Sequence, residues 1–265
     1  MIRDITLGQY YPVDSVIHRM DPRTKLFGTM VFIISLFLSD NIVTYVIASL
    51  FLVMCIRLSK VPFSFMVRGL KAIVFLLLIS VSFNLFLTDG KVLFQIGFLK
   101  ITQEGIATAC VMGLRRMYLV IGSSVMTRTT TPNQLKDGLA KSLGSLNAVH
   151  APVQQISMLM SSALRFIPIL VEETDKIMKA QMARGADFET GNLIQKAKSM
   201  VPLLVPLFIS AFRRATDLAM AMEARCYRGG EGRTKMKPLK YEKRDHKAYG
   251  VYAIYLVLII AGRIL

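Results

Sequence analysis

Long apolar runs, separated by short polar connections, fill the first half of the chain and return near its end. They lie at residues 26–38, 42–56, 72–87, 106–127 and 251–260. Asp21 and Pro22 precede the first run as a helix N-cap and a first helical residue, which extends that helix to Pro22–Leu38. About 20 apolar residues in a helix cross a bilayer, and shorter helices cross where the bilayer is thin. The pattern therefore predicts five membrane-spanning helices.

The connection between the third and fourth runs has a different pattern. Apolar and polar residues alternate in "KVLFQIGFLKI", residues 91–101, and alternation of this kind is typical of a strand. We expect a short hairpin, or a segment that lies in the membrane interface, on the outer side.

Residues 128–247 are amphipathic, unlike the apolar runs that flank them. A short helix is predicted from Pro132, with Thr131 as its N-cap. Two long helices follow, at 152–184 and at about 194–225. The long helices contain Pro168, Pro202 and Pro206, which should kink, divide or disturb them.

Apolar residues recur at spacings of three and four on one face of each long helix. They are Leu159, Ala163, Phe166, Leu170, Ile177 and Met178 in the first, and Leu204, Phe208, Phe212, Ala215, Ala219 and Met222 in the second. These are amphipathic helices rather than spans. Their apolar faces either pack against each other or form an adaptable surface for another protein.

Composition and charge place these segments relative to the membrane. The chain is 53% hydrophobic, with a mean hydropathy of +0.48, and has 33 Lys and Arg against 17 Asp and Glu. A nucleic-acid-binding protein shares such a charge but does not need the apolar runs. Basic residues cluster in the N-terminal arm, at 57–71 and throughout 128–247. Because basic loops stay on the cytoplasmic side, we expect these segments in the cytoplasm and the C-terminus outside.

The expected fold class is therefore an all-α membrane protein. About five transmembrane helices carry a cytoplasmic domain of amphipathic helices. The predicted domains are 1–128 with four spans, 129–247 as the cytoplasmic domain, and 248–265 as the last span.

The two long helices end on similar sequences. "KAQMARGADF" ends the first at Ala183, Arg184 and Gly185, and "MAMEARCYRGG" ends the second at Ala224, Arg225 and Cys226. A cation at a helix C-terminus is stabilised by the helix dipole by about 0.3–1 kcal/mol, which could explain one arginine. Two equivalent tips favour a docking role, because Arg presents a planar fork of donors to carboxylates and buried pockets.

Several kinds of chemistry are not expected. The chain has no G-x-x-x-x-G-K-[ST] motif for ATP hydrolysis. His18, His150 and His246 are far apart, and Cys55, Cys110 and Cys226 form no C-x-x-C pair. We therefore expect no catalytic, cofactor-binding or metal site.

Two alternatives to a docking subunit stay open at this point. One is a membrane-embedded transferase that binds phosphate with cytoplasmic arginines, although the sequence has no acidic cluster for a metal. The other is a self-sufficient carrier, although the spans show no internal repeat.

Arg115 and Arg116 interrupt the fourth apolar run. Each charge costs at least about 2.5 kcal/mol at the membrane centre. They form either a structural interaction or a contact with a partner subunit or lipid headgroup.

Taken together, these features resemble a known family. "DSVIHRMDPRTKL", residues 14–26, looks like the opening signature of the T component of energy-coupling factor transporters. The Ala-Arg-Gly and Ala-Arg-Cys tips resemble that family's two three-residue motifs centred on Arg. The order of four spans, a helical domain and a final span fits the same family across essentially the whole chain.

The resemblance implies a function and partners. Such a subunit joins two cytoplasmic ABC ATPases to a small membrane protein, the S subunit, that binds a vitamin or, in some branches, cobalt or nickel ions. Arg184 and Arg225 would each dock into a groove of a different ATPase. The coupling helices would transmit ATP-driven movement to the S subunit in the bacterial cell membrane. One departure is Cys226 in place of glycine, which predicts that Gly229 and Gly230 end the second helix later.

Overall fold

The computed structural model describes residues 10–39, 41–87, 91–96, 99–142, 153–188, 192–229, 236 and 238–264. Within these ranges the chain forms helices and one two-stranded hairpin. The elements are α1 (Pro22–Leu38), α2 (Ile42–Ser59), α3 (Phe63–Leu87), β1 (Val92–Ile96), β2 (Leu99–Thr102), α4 (Gln103–Thr129), α5 (Pro132–Ser142), α6 (Val153–Ala183), α7 (Leu193–Ala224) and α8 (Lys243–Ile264).

The chain divides into two compact units. One contains residues 8–139 and 239–265, and the other contains residues 140–238 together with 1–7. We call the first the membrane unit and the second the coupling unit. The predicted boundaries at 128 and 247, which concern the division between bilayer and cytoplasm, stay a prediction.

The fold is that of an all-α membrane protein. In the described part of the chain, four helical stretches are long and apolar enough to cross a membrane: Ile42–Ser59, Gln103–Thr129, Gln155–Ala183 and Lys243–Ile264. Three of them are predicted spans. The other two predicted spans are α1, with 17 residues, and α3, with 25 residues, whose described apolar stretch is Leu77–Phe86.

The stretch within α6 meets the same criterion although the sequence predicts an amphipathic helix there. The apolar side chains of α6 and α7 concentrate on one face far more strongly than those of α1, α2, α4 or α8. A helix surrounded by lipid has no need of a polar face. We therefore interpret α6 as an amphipathic helix and not as a membrane span.

The prolines do not divide the long helices. Pro168 lies inside α6, and Pro202 and Pro206 lie inside α7, and each helix continues past them. The predicted start of the first long helix at Pro152 lies outside the described residues. The short helix α5 begins at Pro132 as predicted, and the Thr131 hydroxyl accepts a hydrogen bond from the Gln134 backbone N–H at 3.3 Å.

The core of the membrane unit lies between α1, α2, α4 and α8. Its buried members include Phe32, Leu36, Ala48 and Ile259. A Cβ added to Gly122 would lie 2.5 Å from Phe32 Cε1, so only glycine lets α4 approach α1 here. The packing of these helices therefore depends on a small residue at one crossing.

A polar cluster joins the start of α1 to the start of α8. The buried Asp245 carboxylate accepts hydrogen bonds from the backbone N–H groups of Asp21 at 2.9 Å and of Glu242 at 2.8 Å. Asp21 in turn accepts from the Arg23 backbone N–H at 2.9 Å as the N-cap of α1, and it forms an ion pair with the Arg23 guanidinium at 2.9 Å. The "DPRTK" segment thus fixes the helix that it begins to the last helix of the chain.

The two arginines of α4 make structural contacts. Arg115 donates from Nε to the Tyr45 hydroxyl at 3.0 Å and from Nη2 to the Ser39 carbonyl at 2.9 Å. Arg116 donates to the Ser80 hydroxyl on α3. These bonds satisfy charges that would otherwise be costly in a membrane, and they favour the structural interpretation of this pair.

The alternating residues between α3 and α4 form a hairpin. Strands β1 and β2 pair antiparallel, with Phe94 opposite Ile101 and Ile96 opposite Leu99. This is one of the two forms expected for the segment.

Candidate functional site

The two long helices of the coupling unit end with the same backbone hydrogen bonds. At the end of α6, the N–H of Gly185 donates to the Met182 carbonyl and the N–H of Ala186 to the Gln181 carbonyl, both at 3.0 Å. At the end of α7, Cys226 donates to Glu223 at 2.9 Å and Tyr227 to Met222 at 3.0 Å. Each end is a Schellman motif, with Arg184 or Arg225 as the C-cap.

A left-handed residue follows each arginine. Gly185 has a φ of 88° and Cys226 a φ of 54°. The expectation that α7 would end later, at Gly229 or Gly230, is wrong, because α7 ends at Ala224; Gly230 itself lies outside the described residues. The backbone bonds of Cys226 and Tyr227 outweigh the cost of a left-handed non-glycine residue, about 1–2 kcal/mol.

A Cys226→Gly variant tests this cost directly. We expect the exchange of the Cys226 and Tyr227 amides in α7's last turn to slow about fivefold, because relief of about 1 kcal/mol of strain stabilises the closed turn. Hydrogen exchange of the full chain in detergent, read by mass spectrometry, measures it. Gly185→Cys is the reciprocal control and should speed exchange at the first tip. Unchanged or faster exchange in Cys226→Gly would show that Cys226 stores no strain.

All six predicted docking residues are exposed at these ends: Ala183, Arg184, Gly185, Ala224, Arg225 and Cys226. Across the described residues, neither arginine side chain makes an ion pair or a hydrogen bond. A Cβ added at Gly185 would meet nothing within 4 Å. The two tips therefore present their guanidinium groups to solvent, with open space around the first.

An ion pair links the two helices that carry the tips. Arg214 Nη2 on α7 lies 2.9 Å from Glu173 Oε2 on α6, and the Ser210 hydroxyl donates to Glu173 Oε1 at 2.5 Å. These two donors hold the pKa of Glu173 below its ordinary value, Ser210 contributing most. The sequence pattern identified the polar faces but missed Glu173 as their link.

A hollow of about 500 Å³ lies between α6 and α7 next to the second tip. Phe166, Leu170, Leu218, Met222 and Tyr227 line much of it. Tyr227 and Met222 are also the two residues that close the Schellman motif of α7. The hollow is therefore lined both by residues of the second tip and by residues at which α6 and α7 pack.

The apolar faces of α6 and α7 are not fully buried by packing against each other. Leu159, Leu204, Phe208 and Phe212 are between 50% and 72% exposed. An exposed apolar surface of this extent is typical of a protein or membrane contact. Packing of the two apolar faces against each other therefore explains only part of each face, and the rest is exposed.

In the part of the chain that the structure describes, no three His, Cys, Asp or Glu residues form a group that could hold a metal ion. His150 lies outside that part. Exposed arginines and apolar faces suit binding to other proteins.

Comparison with known proteins agrees with this interpretation. Residues 14–236 match the family model described as CbiQ, cobalt transport protein. A curated relative from Clostridium kluyveri, named energy-coupling factor transporter transmembrane protein EcfT, is 50% identical over all of this chain and 98% of its own length. Relatives of the same name from Bacillus subtilis and Lactococcus lactis are 46% identical over 92% of the chain and 93% of the relative, and 42% identical over 98% of both.

Proposed function

The chain belongs to the family of energy-coupling factor transporter transmembrane proteins, the T components, and from that membership we propose that it couples two cytoplasmic ABC ATPases to a substrate-binding membrane subunit. It is a transmembrane component of a transporter. Its role in this proposal is mechanical and not enzymatic.

The observation that supports two ATPase partners is the matched pair of helix tips. Arg184 and Arg225 have the same backbone environment at the ends of two helices of one unit. A pair of ATPases, alike or different, offers one groove in each subunit, so two matched arginine tips fit them one each. A guanidinium is suited to a carboxylate or to main-chain carbonyls at the bottom of such a groove.

The apolar faces of α6 and α7 support the second kind of partner. Their exposed Leu, Phe and Met side chains suit the helices of a small membrane protein. The Glu173–Arg214 ion pair joins α6 to α7, so a push on either tip is transmitted to both helices. The substrate-binding S subunit would occupy this surface and respond to movement of the ATPases.

The proposed orientation follows the distribution of basic residues. The N-terminus and the coupling unit lie in the cytoplasm of a bacterial cell, and the C-terminus lies outside. When the chain is expressed without its ATPases, the exposed thiol of Cys226 is then unreachable for a membrane-impermeant maleimide in intact cells and reachable in inverted vesicles. Labelling of Cys226 in intact cells would contradict this orientation.

We propose a vitamin as the transported substrate, which is what the resemblance to the T components of energy-coupling factor transporters implies. Cobalt or nickel uptake is the second candidate, favoured by the description of the family model. In both cases the S subunit selects the substrate.

Affinity purification of the chain from its native membrane tests the function. We expect two different ATPases, or two copies of one, and a small membrane protein to co-purify in fixed proportion. A substrate retained by that membrane protein, a vitamin or a metal ion, distinguishes the two candidates. A chain that purifies alone and transports or catalyses by itself would overturn the proposal.

A further inference from the structure

The membrane unit contains a cavity of about 410 Å³ between α1, α2, α4 and α8. We propose that this cavity binds one acyl chain of an anionic phospholipid, with the headgroup phosphate at its basic rim. Ligand sites in proteins have volumes of about 300–1,000 Å³. This site is separate from the arginine tips and does not depend on the ATPases.

The wall of the cavity is apolar and aromatic. Phe32, Phe51, Val125 and Val251 line it together with the ring of Tyr252. The Tyr252 ring occupies the space that a side chain at Gly28 would need, since a Cβ there would lie 2.4 Å from Tyr252 Cζ. Such a wall offers hydrocarbon contacts to an acyl chain and few partners to a polar ligand.

The rim of the cavity is basic. Lys25, Arg244 and Lys247 are among the lining residues, which include no Asp or Glu. Helix α8 begins at Lys243, so Arg244 and Lys247 lie in its first turns and Val251 lies about 6 Å further along the axis from Lys247. The charged groups therefore lie where a span begins, and the apolar wall continues inward from them.

The cations at the rim are not all neutralised by the protein. Glu242 forms an ion pair with Arg244. Lys25 is 5% exposed, and its Nζ donates to the backbone carbonyls of Thr129 at 2.8 Å and His18 at 3.1 Å. Within the described residues, no carboxylate lies at ion-pair distance from Lys25 or Lys247. The carboxylates of Asp245 and Asp21 act on Lys25 from beyond ion-pair distance, so the exposed Lys247 is the rim cation best placed to meet an anion.

The apolar wall and the basic rim together favour one class of lipid. Apolar walls bind any acyl chain, but a rim that carries the exposed Lys247 beside Arg244 favours a headgroup with net negative charge, such as phosphatidylglycerol. Basic pockets between membrane helices at the headgroup level are where such lipids are held. A zwitterionic headgroup brings its own cation to the rim and gains less.

The test uses the full-length chain in detergent and native mass spectrometry. Phosphatidylglycerol and phosphatidylcholine with identical acyl chains are added in equal amounts. We expect preferential retention of phosphatidylglycerol, and Lys247→Gln should lower that retention about fivefold. Lys243→Gln, one turn earlier on α8 and outside the cavity, is the matched control and should have little effect.

A second pair of variants tests the acyl site. Val251→Phe fills the cavity and should remove lipid retention, whereas Val257→Phe, on an exposed face of the same helix, should not. In the parent chain, bound phosphatidylglycerol should also slow the alkylation of Cys55, which lines the cavity, and leave exposed Cys110 unaffected. Equal retention of the two lipids, or equal effects within either pair of variants, would overturn the proposal.

Discussion

A chain that carries both Arg184→Ala and Arg225→Ala is expected to lose ATP-driven uptake and most of its affinity for the ATPases. Each arginine side chain is exposed in the free chain, and each would be buried against a partner in the complex. Removal of one member of a buried, hydrogen-bonded interface charge pair costs about 2–5 kcal/mol. At about 1.4 kcal/mol per tenfold, one tip accounts for roughly 30- to several-thousand-fold in affinity.

The single variants Arg184→Ala and Arg225→Ala should keep the complex assembled, unlike the double variant. Two tips on one unit bind with avidity, so either Arg→Ala change alone can leave the complex assembled. Transport should fall further than assembly, because movement has to pass through both tips. Arg→Lys should rescue only in part, since an ammonium lacks the planar fork of donors.

Arg165→Ala combined with Arg213→Ala is the matched control for the double variant. It also removes one exposed arginine from each of α6 and α7, but away from the tips. Assembly, measured by co-purification, and uptake coupled to ATP hydrolysis should both survive. If the tip variant and the control variant behave alike, the tips are only helix caps.

The second large effect is expected on stability, at Asp245. Its carboxylate is 1% exposed and accepts hydrogen bonds from two backbone N–H groups, those of Asp21 and Glu242. Asp245→Ala leaves both donors without this acceptor. The bond from Asp21 is buried, and an unsatisfied buried group costs about 1–3 kcal/mol, whereas Glu242 is an exposed residue whose N–H bonds to water instead. We therefore expect a loss of about 1–3 kcal/mol in stability, seen as a clear fall in the melting temperature of the complex in detergent.

Two variants show whether the lost bonds cause that effect. Asp245→Asn keeps one carbonyl acceptor and should recover part of the lost stability. Asp14→Ala removes an exposed carboxylate that pairs with exposed Arg19, and the melting temperature should hardly change. If Asp245→Ala melts like the parent chain, the cluster at the start of α1 and α8 does not hold the helices together.

The sequence was sufficient for features that depend on neighbouring residues. Asp21 and Pro22 start α1, Thr131 and Pro132 start α5, and α6 ends at Ala183. Each of these follows from a cap or from the spacing of apolar residues within one or two turns. The family resemblance followed from the same local segments.

Contacts between distant residues could not be found in this way. Asp245 bonds to a residue 224 positions earlier, and Glu173 bonds to Ser210 and Arg214, 37 and 41 positions later. Local patterns classify both acids as ordinary polar residues of a helix. Their partners are defined only when the helices pack.

Cys226 shows a related limit. Local propensity favours glycine at a left-handed position, so the sequence pointed to a later helix end. Two backbone hydrogen bonds of the Schellman motif determined the end instead. The conformation of one residue depended on the whole turn, which a residue-by-residue preference does not describe.

The central claim is that the two arginine tips contact the ATPases in the assembled transporter. The most direct measurement places a photo-crosslinking amino acid at Ala186 or at Tyr227, the equivalent positions that follow the two tips. A control position is Arg213, which is exposed on α7 twelve residues, about 18 Å along the helix axis, before Arg225. We predict that Ala186 and Tyr227 each cross-link to an ATPase and that Arg213 does not. If neither tip position cross-links to an ATPase in a complex that still transports, the account is contradicted.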